Sequence, residues 1–347
     1  MAEYYYHYLG TCPDGKRKQQ TYHLILRGLE ALEPSFPVPR SDSTELTEIF
    51  TLVRLDHPEI FYAPTFSYSF SPQADSVQFA PKYLFRKKDI IEHQNAIRAR
   101  IQKLIRPAAG LDELSREQYI HDFICQNVRY DKLKKEYSHE IIGPLTQGVG
   151  VCEGIAKTVK ILCDALQIPC IIVLSRNNPE KGIKYRHAWN IVRLGGTAFH
   201  LDATFDGTLT AGAETRYDYF NIDDTAVFRD HEELIWPAPA CTDHSRFYYL
   251  QKKLSFTKPE EVRSRAAQAV KKNKTLIFHW RGGYLTREVL KELCTILTEE
   301  AEAKGKTAML SLNWPQAVLH VRFESADGIP GQTSVSLENA NEGELDE

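Results

Sequence analysis

Two adjacent glycines, Gly195 and Gly196, divide "RHAWNIVRLGGTAFHLDATFD" (186–206) into two apolar runs. A two-residue loop of this kind needs positive φ, which glycine supplies without strain. The stretch therefore predicts a β-hairpin and fixes its register, with Leu194 opposite Thr197. Carried outward, this register sets Trp189 against Asp202 and His187 against Thr204. His187 and Asp202 then lie on one face as diagonal neighbours, their Cα atoms ~7–8 Å apart. Trp189 and His200 share that face. The opposite face carries Ala188, Val192, Phe199, Leu201 and Ala203, with Asn190 as its polar exception, and suits packing against a helix.

A helix is at hand. Ile155, Val159, Leu162, Cys163 and Leu166 recur at helical spacing, so Cys152 to Gln167 reads as one helix, stopped by Pro169. The apolar run "CIIVLS" (170–175) that follows reads as a buried strand. Cys152 sits in "GVGVCEG" (148–154), at the mouth of the helix. Only a thiolate is a useful nucleophile, and a helix N-terminus favours the anion. Gly148, Gly150 and Gly154 would let backbone or substrate approach closely. Taken singly, Cys152 reads equally as a buried junction residue, and His187 with Asp202 as a structural pair. Together they offer a nucleophile, a base that takes the thiol proton, and a carboxylate that orients the base.

The flanks carry less chemistry. Residues 19–32, 43–55, 89–105 and 111–131 read as helices, the last capped by Asp112 or Ser115, and that of 43–55 by its opening hydroxyls. Asp56 and His57 read as cap and turn residues, and "TFSYSFS" (65–71) as a half-buried strand with Phe66, Tyr68 and Phe70 on its inner face. "DSVQFAP" (75–81) would complete a hairpin with it. After residue 251, "KTLIFHW", a helix over 286–304 and two further strands suggest a βαββ module. The expected division is an N-terminal α/β module at 1–88, a central core at 89–250, the βαββ module at 251–325 and a disordered acidic tail at 326–347. A net charge of −3 over 347 residues argues against a nucleic-acid or membrane-surface partner. The opening "MAEYYYHYLG" lacks the character of a signal peptide, and seven cysteines without a CxxC pair read as reduced thiols. These features predict a cytoplasmic protein with no structural zinc, and no cofactor.

"GVGVCEGIAKTVKILCDALQIPCIIV", "RHAWNIV" and "HLDATFD" resemble the transglutaminase-like core family, and "RYDYFNIDDTAVFRDH" (216–231) resembles the stretch that follows this core in bacterial members. The resemblance covers about residues 90–250. It implies an α+β fold, a papain-like core in which a cysteine-bearing helix packs on an antiparallel sheet, with smaller α/β modules flanking it. It matches Cys152, His187 and Asp202 to the catalytic triad. Acyl transfer at amide bonds of a protein or peptide would follow, through a thioester on Cys152, with hydrolysis (a protease or amidase) favoured over transamidation. The other reading is a catalytically silent module of the same fold that binds a protein or peptide. Gln147 and Tyr130 are the candidates for a second oxyanion donor beside the Cys152 N–H, and Trp189 and Gly150 for the substrate cleft. No metal ligand is assigned.

Overall fold

The hairpin forms in the expected register. Ala188–Leu194 and Thr197–Leu201 pair antiparallel, Leu194 faces Thr197, and both turn glycines have positive φ. The ladder ends at Asn190 opposite Leu201, one pair short of Trp189 and Asp202. Asp202 does not continue the strand. Its side chain accepts hydrogen bonds from the N–H groups of Thr204 and Phe205 and caps a helix, Ala203–Leu209. Aspartate competes for backbone donors better than it extends a strand, so "DATFD" turns helical where continued strand was expected. The strand bearing the histidine opens at Ala188, leaving His187 just outside it.

Cys170–Leu174 and Phe220–Ile222 flank the hairpin and complete a four-stranded antiparallel sheet. The helix Cys152–Ala165 packs on this sheet. Asn190 is what joins them: its side-chain amide donates to Ala156 O at 3.0 Å and to Ile171 O at 3.3 Å. The polar exception on the apolar face thus tethers helix to sheet. The chain is an α+β protein whose cysteine-bearing helix lies against an antiparallel sheet. The computed structural model describes residues 3–71, 73–210, 214–282, 284–325 and 334–338.

In front of this core, helices Tyr4–Thr11, Gly15–Glu30 and Ser43–Asp56 accompany a three-stranded sheet of Phe36–Pro39, Ser76–Lys82 and Thr65–Phe70. Asp42, rather than a hydroxyl residue, caps the third helix through Glu45 N. Asp56 is no turn residue. It is buried and accepts from the backbone of Tyr5 and Tyr6 and from the Tyr22 hydroxyl. Thr65–Phe70 is less buried than its alternation suggested: Phe66 stacks on Phe79, but Phe70 is 60% exposed. One continuous apolar core joins this region to the central sheet, where the Tyr5 hydroxyl donates to Ile172 O at 2.5 Å.

A second core, running from Phe256 to Val321, lies between helices Pro259–Lys271 and Arg287–Glu302 and a five-stranded sheet. That sheet adds Ser255–Phe256 and Ser334–Glu338 to the three expected strands. Ser334–Glu338 falls in the stretch read as a disordered tail; it pairs parallel with Lys306–Asn313, while the rest of 326–347 lies outside the described residues. Its alternating "SVSLE" completes the sheet in spite of the acidic surroundings. Among the described residues no helix is long and apolar enough to cross a membrane.

Two positions test this packing. A Cβ on Gly154 would sit 2.1 Å from Ser138 O, whereas Gly110 faces open space. Gly154→Ala should cost about 1–3 kcal/mol in urea unfolding, and Gly110→Ala should fall within about 0.5 kcal/mol of the parent. Glu117 is fully buried on helix Glu113–Asn127, and burial raises its pKa to about 8 against the hydrogen bond from Asn221. Its folded pKa lies above its unfolded one, so its contribution is fully present below the ordinary carboxyl range and is lost as pH rises toward 8. Glu117→Gln should therefore flatten the decline in melting temperature between pH 5 and about pH 8, measured by calorimetry across that range.

Candidate active site

Cys152 is the first residue of its helix. Val151 before it is extended and offers no side-chain cap, so the opening N–H groups of the helix are not taken up by a capping side chain. Cys152 is 8% exposed and lines a cleft of about 560 Å³. Ala188, at the start of the histidine strand, lines the same cleft, as do Tyr130, Lys134, Glu153 and Tyr185. His187 lies one residue before Ala188 and lines a smaller cavity of about 50 Å³, together with Phe205, Asp230 and His231.

His187 Nε2 is 2.6 Å from Asp202 Oδ2. The predicted pair therefore meets, though by the cap geometry rather than across a ladder. The Asp202 carboxylate divides its work. Oδ1 holds the N–H groups of Thr204 and Phe205 at 2.8 and 3.0 Å, and Oδ2 faces the two imidazoles of His187 and His231 at 2.6 and 3.0 Å. Burial opposes its ionisation, yet His187 and His231 hold its pKa below the ordinary carboxylate range.

His231 was not singled out from the sequence. Its Nε2 meets Asp202 and its Nδ1 meets Asp230 Oδ1 at 2.9 Å. Two ionised carboxylates facing both ring nitrogens favour the imidazolium form. Burial works against that charge, but the two carboxylates raise the pKa above the ordinary value. Asp230 in turn accepts from the Tyr219 hydroxyl and from Gln316 of the C-terminal module. The signal was present in "FRDH" (228–231), a histidine beside an acid, but nothing local links it to a strand some thirty residues earlier.

Trp189 is buried and belongs to the frame rather than to the cleft. Its ring stacks on His187 at 5.6 Å and its indole N–H donates to His200 Nδ1. Gly150 is also buried, paired with Tyr130 and packed on Pro144 and Ile155, so neither cleft candidate lines the cavity. Of the oxyanion candidates, Tyr130 lines the cleft with Cys152. Gln147 is exposed on the preceding turn, its amide 3.4 Å from Thr146 Oγ1, and does not line it.

A second group of the same three residue types, Cys125, His121 and Asp206, lies in the interior, with His121 Nε2 2.9 Å from Asp206 and 3.5 Å from Cys125 Sγ. Burial raises the Cys125 thiol pKa, the opposite of what a nucleophile needs. Two sets of three possible metal donors also converge: His187, Asp202 and His231, and His200, Asp224 and Cys241. In the second, the Trp189 N–H fixes the lone pair of His200 on Nδ1, so Nε2 carries the proton it directs at Asp224. In the first, protons on His231 satisfy both of its carboxylates.

Comparison with known proteins bears on this region. Residues 102–203, which hold Cys152, His187 and Asp202, match the model of the transglutaminase-like superfamily. No curated protein matches the chain. A solved structure of a TGase shares 12% identity at a TM-score of 0.29, over 52% of this chain and 53% of that one. A candidate cysteine protease from Cytophaga hutchinsonii shares 17% identity at a TM-score of 0.24, over 40% of this chain and 62% of that one. The chain thus spans less than two thirds of either structure. The family match rests on residues 102–203, and that segment is similar to the transglutaminase-like superfamily.

Proposed function

We propose that the chain is a thiol enzyme that transfers the acyl group of a peptide or protein amide to water, with Cys152 as nucleophile, His187 as base and Asp202 as the group that orients it. The observation that carries this reading is the short contact between His187 Nε2 and Asp202 Oδ2, made at the end of the sheet where Cys152 opens its helix. With Nε2 directed at Asp202, Nδ1 is the ring atom that exchanges a proton with the thiol. The thiolate attacks the amide carbonyl, His187 protonates the departing amine as the C–N bond breaks, and a thioester remains on Cys152. Water, deprotonated by His187, then cleaves the thioester and restores the thiol. The Cys152 N–H and the Tyr130 hydroxyl are the proposed oxyanion donors. His231 acts through Asp202 and is a positioning residue. Hydrolysis is favoured over transfer to a lysine amine because Lys134, Lys184 and Arg186 line the cleft and repel an incoming ammonium. We place the enzyme in the cytoplasm, since no disulfide joins any of its seven cysteines.

Alkylation by iodoacetamide at pH 6, mapped by mass spectrometry, should mark Cys152 first. Burial raises the thiol pKa of Cys125, Cys294 and Cys241, the last to about 12, and a hydrogen bond donated to Cys170 together with burial raises Cys163. Faster labelling of any of these than of Cys152 would refute the nucleophile. Asp202→Asn keeps an oxygen to cap Thr204 and Phe205 but sets an amide donor against the His187 and His231 rings. Peptide hydrolysis should fall by about 10³-fold or more, as it does when a triad carboxylate elsewhere becomes an amide. His231→Gln should lower kcat by a smaller factor. It should also move the alkaline limb of the Cys152 alkylation profile upward, because removing a cation beside Asp202 lets the carboxylate hold the His187 proton more tightly. A merely structural histidine would leave that limb in place.

A further inference from the structure

The proposed reaction leaves open which amides are attacked, and the walls of the Cys152 cleft bear on that question. Lys134, Lys184 and Arg186 line the cleft beside Cys152, along with Arg54. Among the described residues, the single lining carboxylate is Glu153. It is committed elsewhere: Lys157 lies 2.6 Å from it and Arg54 3.5 Å, and both cations also meet the buried Glu140. Arg54, Lys157, Glu140 and Glu153 thus balance among themselves. The charge presented to a ligand comes from the other wall.

That wall is built. Asp131 is buried and gathers the loop after Tyr130, accepting from Leu133 N and Lys135 N at 3.1 Å each and from the Ser138 hydroxyl. Ser138 O then receives the N–H of Val151, the residue before the nucleophile. The loop carrying Lys134 is therefore fastened to the helix that carries Cys152. Lys134 Nζ lies 4.1 Å from the centre of the Tyr185 ring, between the two chain segments that line this side. Tyr185 and Arg186 are exposed next to His187.

We infer that the cleft selects acyl donors with a carboxylate side chain close to the amide attacked, held by Lys134 and Arg186 with Lys184 beside them. This rests on Cys152 as the nucleophile and adds the substrate class to that reading. Exposed charge pairs each contribute little, so the preference arises from several cations acting on one carboxylate and weakens as salt screens them.

Three peptidyl acyloxymethyl ketones, Ac-Asp-Gly, Ac-Ala-Gly and Ac-Lys-Gly, test the inference on the full chain. The rate of adduct formation at Cys152 is followed by mass spectrometry. At low ionic strength the aspartyl probe should label about tenfold faster than the alanyl probe, and the lysyl probe slowest, with the spread narrowing in 0.5 M salt. In the double variant Lys134→Gln/Arg186→Gln the aspartyl-to-alanyl ratio should fall toward one. Equal rates for the three probes, or an unchanged ratio in the double variant, would overturn the acidic preference while leaving Cys152 as the reacting thiol. Absence of a Cys152 adduct with every probe would overturn both.

Discussion

One carboxylate holds the centre of this molecule together. Asp202 ends a strand, starts a helix and bridges two imidazoles with four hydrogen bonds, all of them in the interior. A buried carboxylate without partners would take up a proton; this one meets backbone N–H groups on one oxygen and ring N–H groups on the other. The helix start fixes the carboxylate, and the carboxylate then fixes both rings. Local chain direction and site geometry are decided by the same side chain.

That double use explains what the sequence disclosed. Gly195–Gly196 set the hairpin register, and the register was enough to bring His187 and Asp202 to one end of the sheet. It was not enough to show how they meet, because an aspartate two residues before available backbone donors reads as strand or as cap with equal ease. His231 lay beyond local reasoning altogether. Its ring joins the adjacent Asp230 to Asp202 on a distant segment, and no periodicity links the two. Asn190 was visible as an anomaly on an apolar face, but its purpose required the helix to be in place.

The flanking regions were legible where amphipathic periods were long and obscure where short strands close a sheet. Ser255–Phe256 and Ser334–Glu338 are too brief or too polar to announce themselves, and only an existing edge makes them strands. Both flanks also reach the core by polar contacts. The Tyr5 hydroxyl meets the central sheet, and Gln316 meets Asp230, which holds His231. The C-terminal module thereby touches the interior row of charged residues without approaching the cleft.

That row alternates in sign. From Asp230 through His231 to Asp202 the charges run negative, positive, negative. With a neutral His187 at its end, the row carries one excess negative charge inside a medium that solvates charge poorly. With His187 protonated, the row sums to zero. Interiors favour electroneutral arrangements, so the buried side of the site acts as a sink for one proton. By parity alone, the interior favours a proton on the ring that ends the row.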